Sequence, residues 1–248
     1  MLKIDPSVKR KDIPDHFFEQ LSFIESWKVK SSVLIVTFIM LDLLILVPLI
    51  SPPIEWILWL TMPPISVINL WALTMLVRKA ESIHYEFILF IGSIGAVGSF
   101  TYYVLVQKMA IMILKGHFLS FFFVSTLGYV AFFVFQIWFY KKKYSSLDSK
   151  FGLFKDLPWH YKALYWSLPV GAVFAQFVMS RSEFFMVSVM IIVYSFFSGF
   201  FTCVSVKFFH RFFFMSANEH LLRFPGETKK TRKKRMLRSQ RQVIEYED

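Results

Sequence analysis

The chain has 248 residues, of which 56% are hydrophobic and 18% charged, and its formal net charge is +11. Charged residues are absent from long stretches and concentrated between them, which excludes an ordinary soluble domain and is typical of a polytopic membrane protein. The single cysteine, Cys203, excludes an intramolecular disulfide and a cysteine-based metal site.

The N-terminal segment, residues 1–32, mixes acids and bases, so it is not expected to be a cleavable signal peptide. It contains a predicted amphipathic helix in DHFFEQLSFIESWK, where Asp15 is a suitable N-cap. Phe17, Leu21 and Ile24 then recur at helical spacing. We expect this helix to be interfacial, with its apolar face on the inner leaflet.

Six transmembrane helices are predicted in a membrane domain of residues 33–206, because a span needs about 20 apolar residues. They cover residues 33–50, 54–77, 87–106, 118–140, 163–179 and 184–206. Residues 107–116 are compatible with an extension of the third helix and with a segment along the membrane surface. The predicted fold class is all-α.

The distribution of Lys and Arg predicts the orientation. The N-terminal segment, the second and fourth connections and the basic tail, residues 207–248, hold 25 of the 28 Lys and Arg, and the other connections hold 3. Because Lys and Arg are enriched in cytoplasmic loops, both termini are predicted to be cytoplasmic, which requires an even number of spans. A bacterial plasma membrane is the expected location, although a eukaryotic protein inserted at the endoplasmic reticulum would follow the same rule.

Asp42 lies in the first predicted span, about 12 Å from its outer end at the helical rise. A carboxylate facing lipid at that depth costs at least about 2.5–3.5 kcal/mol, so we expect Asp42 to face the bundle interior, to be protonated, or both. At the same depth, Pro63 and Pro64 predict a break in the second helix, because prolines leave carbonyls of the preceding turn without donors. A protonated Asp42 is the expected donor, helped by Thr61 and Asn69.

Five of the six predicted spans bring a small, polar or helix-breaking residue to about this depth. The candidate intramembrane polar site comprises Asp42, Thr61, Pro63, Pro64, Asn69, Ser99 and Thr126. Two interpretations stay open. In the first, small residues such as Gly92 and Gly95 allow close helix packing and Asp42 is structural. In the second, the layer lines a polar cavity near mid-membrane, as in transporters.

The motifs of several enzyme classes are absent from the sequence. There is no glycine-rich phosphate loop, no HExxH zinc motif and no second deep carboxylate to pair with Asp42. The six histidines are scattered, so no metal site is expected. The sequence therefore predicts neither an enzyme nor a bound cofactor.

The tail contains the run KKTRKKRMLRSQR at residues 229–241, in which eight of thirteen residues are Lys or Arg. We expect this run to retain the tail inside the cell and to contact anionic lipid, or to bind a protein partner. Nucleic acid is the least favoured partner, because no aromatic side chains are interleaved to stack on bases.

The function favoured by these features is a multi-pass membrane subunit of a transport, export or self-protection (immunity) system. It is expected to act with cytoplasmic partner proteins and to have no ATPase of its own. The alternative is an autonomous secondary transporter or channel, a homo-oligomer that uses Asp42 and the predicted helix break at Pro63 and Pro64.

Overall fold

A computed structural model of the chain describes residues 4, 13, 17, 20–22, 26–79, 83–144 and 182–222. These residues are helical and contain no strand, which confirms the predicted all-α class for this part of the chain. The α-helices are α1 (Ser26–Leu34), α2 (Leu44–Ile50), α3 (Glu55–Val77), α4 (His84–Leu114), α5 (Phe118–Lys143) and α6 (Glu183–Ala217). A π-helical segment, Ile35–Leu43, joins α1 to α2.

Five stretches of the described residues are long and apolar enough to cross a membrane. The first is Lys28–Ile50, which contains the π-helical segment, and the others are α3, α4, α5 and α6. These stretches coincide with five of the predicted spans and indicate a multi-pass membrane protein. The remaining predicted span, residues 163–179, lies outside the described residues.

Helices α4 and α6 extend furthest beyond their predicted spans. Helix α4 continues to Leu114, so residues 107–114 extend the third helix, and a short 3-10 turn, Lys115–His117, follows. Helix α6 continues past Lys207 and Arg211 to Ala217. Charged residues interrupt a hydropathy pattern, whereas backbone hydrogen bonds continue the helix through them.

The centre of the bundle is a close antiparallel contact between α4 and α6. A Cβ atom added at Gly95 would lie 2.5 Å from the backbone nitrogen of Ser205, and one added at Gly92 would lie 3.3 Å from Phe209. The glycines therefore allow the two backbones to approach, and the shorter distance increases dispersion contacts along the whole interface. This geometry supports the packing interpretation of the small residues in α4.

Contacts between side chains give the direction of the other helices. The Trp71 and Phe90 rings are 5.4 Å apart, so α3 and α4 are antiparallel neighbours across their short connection. Along α5 and α6, Phe132 lies against Gly199, and Tyr140 lies 6.0 Å from His210. Because residue numbers increase together along this contact, α5 and α6 run in the same direction.

The two ends of the bundle differ. One end of the bundle holds the first residues of α1 and α4 and the last residues of α3, α5 and α6. We call it the basic end. The opposite end, which holds the connections at residues 51–54 and 115–117, is the hairpin end. A second apolar core lies at the basic end, separate from the core between the spans. Its buried members are Ile4, Ile13, Phe17, Leu21, Ile88, Tyr144, Phe214, Met215, Leu221 and Leu222.

This second core changes the interpretation of the N-terminal segment. Phe17 is fully buried, with its ring 5.5 Å from that of Tyr144 and 5.6 Å from that of Phe214. Leu21 is buried in the same core. The prediction that both side chains lie on the inner leaflet is therefore wrong, because an apolar helical face does not specify whether lipid or protein covers it. Asp15 and Ile24 lie outside the described residues.

Candidate intramembrane site

Asp42 is in the π-helical segment of the first span and faces α3. Its Oδ1 accepts a hydrogen bond from Asn69 Nδ2 at 3.0 Å, and the carboxyl is half-buried. The structure thus places the lone deep acid between two helices and gives it a neutral polar partner. A π-helical turn inside an α-helix is frequent at functional sites, so this pair is one part of the candidate site.

The partner lies deeper along α3 than the residue count suggests. Counting equal distances from the outer end gives Thr61 to Pro63 as neighbours of Asp42, but the hydrogen bond is to Asn69. Helical side chains tilt toward the N-terminus of their own helix. Since the first span and α3 are antiparallel, the Asp42 side chain reaches toward the basic end and that of Asn69 toward the hairpin end.

The predicted helix break at Pro63 and Pro64 is wrong, because α3 is continuous from Glu55 to Val77. Two prolines remove two N–H donors, and the hydrogen bonds on either side keep the helix intact. Pro63 lies on the exposed surface of the bundle. Thr61 is buried, and its Oγ1 donates to the carbonyl of Ile57 in its own helix at 2.8 Å. The Thr61 hydroxyl thus bonds within its own helix, and the helix break expected beside Asp42 is not formed.

Ser99 lies at the close contact of α4 and α6. Its Oγ donates to the Ser198 carbonyl at 3.0 Å and is 2.6 Å from Thr202 Oγ1 and 2.9 Å from the Tyr129 hydroxyl. In return, Ser198 Oγ donates to the Ser99 carbonyl at 3.0 Å. One small side chain thus connects α4, α5 and α6 through hydrogen bonds in the apolar interior.

Thr126 belongs to the same region. It is hydrogen-bonded to the Tyr103 hydroxyl and donates to the Phe122 carbonyl at 2.6 Å. The Tyr103 and Tyr129 rings are stacked with centroids 4.7 Å apart. Ser99 and Thr126 therefore each hold one member of an aromatic pair. This region lies between α4, α5 and α6, whereas Asp42 lies between the first span and α3, so the single predicted layer divides into two.

A cavity of about 320 Å³ lies between α4, α5 and α6. Its lining includes Tyr103, Ser125, Gly128, Tyr129, Phe132 and Ser195. Sequence reasoning missed the two tyrosines, although a signal was present for Tyr129, which lies in the middle of its predicted span, whereas Tyr103 lies near the end of its own. Tyrosine in membrane helices concentrates at the interfaces, so a tyrosine in the middle of a span indicates a polar partner in the interior.

Lys108 is a further residue that sequence reasoning missed, since it is one of the three Lys and Arg that the charge distribution assigns to the outer connections. It is fully buried, and its Nζ donates to the carbonyls of Pro48 at 2.6 Å and Leu49 at 2.8 Å. Those carbonyls end α2, where helical acceptors lack donors and a cation is favourable. The spacing from buried Val104 and Leu105 places Lys108 on the buried face of α4.

No family model matches the chain, and no match appears among curated proteins or solved structures. Within the described part of the chain, no three His, Cys, Asp or Glu residues are close enough together to hold a metal ion. The candidate site therefore consists of the Asp42–Asn69 pair and the hydroxyl-rich region around the cavity.

Proposed function

We propose that the chain is a multi-pass membrane subunit of a transport, export or self-protection system, and that it acts through a protein partner bound at its basic end. It has no ATPase of its own in this proposal. The observation that carries it is the second apolar core, which holds the N-terminal segment against the ends of α4, α5 and α6.

Polar contacts support the same arrangement. The backbone N–H of Ile4 donates to Asn218 Oδ1 at 2.7 Å, and Gln20 Nε2 donates to the Tyr144 hydroxyl at 2.9 Å. Arg211 donates to the carbonyl of Ser22. An insertion signal or a connecting loop does not require such a core. The described residues of the segment are already held by these contacts, so they have less conformational entropy to lose when a partner binds, which favours a docking role.

The charge of the basic end fits a partner with an acidic surface. Exposed bases there include Arg78, Lys141 and Lys142, and the sequence adds the run at residues 229–241, which lies outside the described residues. Opposite charge increases the rate of association and suppresses incorrect partners. The same bases suit anionic lipid, at about 1 kcal/mol per residue near the surface.

Six spans with both termini in the cytoplasm of a bacterial cell are part of this proposal. Helices α5 and α6 run in the same direction, which supports six spans. If both helices cross the membrane, the chain between them must cross back an odd number of times. Residues 163–179 are the stretch predicted to do so.

Cysteine labelling tests this topology. In a Cys203→Ser background, Glu55→Cys and Lys79→Cys place single thiols at opposite ends of α3. An impermeant maleimide added to intact cells is expected to label position 55 at once and position 79 only after lysis. The reverse order, or equal labelling, contradicts the orientation.

Photocrosslinking tests the partner. Phe213 and Phe184 are both exposed on α6, at the basic and the hairpin end respectively. A photoreactive phenylalanine at position 213 is expected to give a discrete adduct with a second protein in native membranes, and the same substitution at position 184 is the matched control. Equal adducts from both positions contradict the proposal, and adducts between two copies of this chain favour the alternative below.

The alternative is an autonomous secondary transporter or channel formed by a homo-oligomer. The observation that favours it is the Asp42–Asn69 pair in a π-helical segment, because an ionisable residue within a membrane span is a candidate for function. In this alternative, the protein reconstituted alone moves ions in liposomes and Asp42→Asn abolishes the flux. Normal flux and folded yield in that variant exclude a role for the carboxylate.

A further inference from the structure

We infer that the Asp42–Asn69 pair is a proton-binding site, in which a neutral Asp42 carboxyl and the Asn69 amide exchange two hydrogen bonds between the first span and α3. The ligand is a proton, and the contact between the two helices depends on it. Such a site exists in the folded chain alone, so it requires neither the proposed partner at the basic end nor ion flux.

A buried acceptor without a donor lies in this pair. Asn69 Nδ2 donates to Asp42 Oδ1 at 3.0 Å, which uses one side of the amide. The other side, Asn69 Oδ1, is buried and has no hydrogen-bond partner among the described residues. Exchanging the amide nitrogen and oxygen would leave the nitrogen without an acceptor and bring two oxygens together. An ionised Asp42 therefore satisfies the amide in neither orientation.

A proton on Asp42 supplies the missing donor. An ionised carboxylate only accepts hydrogen bonds, whereas a neutral carboxyl has one O–H donor and one further accepting oxygen. A primary amide also has a donor and an acceptor on the same carbon, so the two groups are complementary. The Asp42 O–H would donate to Asn69 Oδ1 while Asp42 Oδ1 keeps its bond from Nδ2. The last torsion of each side chain is soft enough to align the two groups.

The surroundings of the pair disfavour a charge. Asp42 is half-buried, and its exposed neighbours on the two helices are apolar, with Ile39 48%, Leu43 60% and Leu70 64% exposed. Both helices are long and apolar enough to cross a membrane, so an ionised Asp42 would meet hydrocarbon rather than water. Loss of the proton is therefore expected to weaken the contact between the first span and α3.

Charged and histidine side chains on the first span, α3, α4 and their caps do not replace the proton. They are Lys28, Lys30, Glu55, Arg78, Lys79, His84, Glu86 and Lys108. In the structure none of them hydrogen-bonds or forms an ion pair with Asp42. Lys108 comes nearest along the helix axis, at about 9 Å, since it binds the Pro48 carbonyl six residues from Asp42. At the level of Asp42 on α4, the Tyr102 ring stacks on Phe197 and Phe201 of α6.

A divalent metal ion fits the pair less well than a proton. Calcium and magnesium take six or more oxygen ligands, whereas Asn69 is the side chain that the structure places on Asp42. The described residues also hold no group of three His, Cys, Asp or Glu that could bind a metal ion. One bond to a proton needs only the two side chains that are present.

Infrared spectroscopy of the full chain in lipid nanodiscs, with ¹³C in the aspartate side-chain carboxyls, tests the inference. Asp42 lies within a predicted span and the other six aspartates lie outside the predicted spans, so those six are expected to be ionised at neutral pH. A labelled C=O band of a neutral carboxyl is expected at neutral pH, and it is expected to be absent from Asp42→Asn. In Asn69→Leu the band is expected at higher frequency, because the O–H loses its acceptor. Carboxylate bands alone at neutral pH overturn the inference.

The pH dependence of stability gives a second readout. The folded state would hold a proton that the unfolded state has released, so stability is greatest at low pH and is lost as the pH rises. Relative to Asp42→Asn, the folding equilibrium constant of the unaltered chain is expected to fall about tenfold per pH unit over the range in which only the folded carboxyl holds the proton.

Two variants make this comparison specific. Asp42→Asn keeps a donor and an acceptor opposite Asn69, so it is expected to fold at neutral pH at least as well as the unaltered chain. Thr37→Val is the matched control, because it removes a buried hydroxyl without a partner from the same π-helical segment and is expected to keep the pH dependence. Equal pH dependence of the unaltered chain and Asp42→Asn contradicts proton uptake. If Asp42→Asn does not fold, the infrared spectra of the unaltered chain and Asn69→Leu decide the question.

Discussion

The contact between α4 and α6 allows the effect of Gly95→Ala to be worked from distances. The added methyl would lie 2.5 Å from the backbone nitrogen of Ser205, 2.7 Å from its Cα and 3.0 Å from the carbonyl oxygen of Phe201. All three are backbone atoms of α6, so no side chain can rotate away. Since ordinary contacts begin near 3.4 Å, the helices must separate locally by about 0.9 Å.

Two opposing contributions set the magnitude. A gap of about 0.5–1 Å forfeits a quarter to a half of each dispersion contact, and overpacking in cores costs about 1–3 kcal/mol. The hydrogen bonds that Ser99 makes across the same interface would lengthen as well. Alanine recovers about 0.5–1 kcal/mol of helix propensity relative to glycine. We therefore expect Gly95→Ala to lower the free energy of unfolding by about 1–2 kcal/mol.

The measurement is the free energy of unfolding of the purified protein in mixed micelles, titrated with a denaturing detergent. Gly128→Ala is the matched control, because a methyl at that position meets no atom within 4 Å. That variant is expected to be neutral or more stable by up to about 1 kcal/mol. If the two variants change stability equally, α4 and α6 are not packed through Gly95 and the described core is wrong.

Four further predictions concern stability and the tail. Lys108→Met is expected to lower the free energy of unfolding by about 1.5–3 kcal/mol, because two carbonyls at the end of α2 lose a charged donor; an unchanged value in the same detergent titration contradicts that role. Ser99→Ala is expected to lower the free energy of unfolding by about 1 kcal/mol, because hydrogen bonds between membrane helices are individually weak. A loss above about 3 kcal/mol would show that the hydroxyl groups around Ser99 act cooperatively. Glu86→Ala is expected to lower the free energy of unfolding more than Arg78→Ala does, because Glu86 accepts a hydrogen bond from Trp71 at 2.7 Å as well as one from Arg78 at 2.6 Å. The exposed ion pair alone contributes below about 1 kcal/mol. Equal losses of stability in the detergent titration contradict this prediction. Protease protection of residues 229–241 on vesicles with anionic lipid is expected to disappear at high salt, and protection that resists salt indicates a protein partner instead.

The positions of five spans could be predicted from the sequence, because a run of about 20 apolar residues has few other uses. The ends could not be predicted equally well. Helix α6 continues through Lys207 and Arg211, where hydropathy falls but the backbone still forms helical hydrogen bonds. Lys207 and Arg211 interrupt the apolar run, so the extension beyond them, which includes Phe214 and Met215 of the second apolar core, is not visible in a hydropathy pattern.

The candidate site was predicted in part. Asp42 and Asn69 were both singled out, and the structure pairs them, but the count of residues from the outer end indicated Thr61 as the neighbour. A count of residues gives the depth of each Cα atom along the helix axis, but it does not give the direction in which the side chain extends. The helix break predicted at Pro63 and Pro64 was wrong for a different reason. Each proline removes a backbone N–H donor, but the remaining hydrogen bonds of α3 keep the helix continuous.

The N-terminal segment and Lys108 show a limit that no single sequence overcomes. An apolar stripe such as that of Phe17 and Leu21 has the same composition whether lipid or protein covers it. A lysine near a span end usually extends to the interface, and only its helical register with Val104 and Leu105 indicates burial. Both features depend on which helices are neighbours, which periodicity alone does not encode.

The mass of the assembly extracted from native membranes in mild detergent tests the proposed function most directly. One chain has a mass of 29.3 kDa. Native mass spectrometry is expected to show this mass together with that of a second, different protein, and variants that disrupt the second apolar core, such as Phe17→Asp, are expected to lose it. An assembly made only of whole multiples of 29.3 kDa would contradict the proposed partner and favour a homo-oligomer that acts alone.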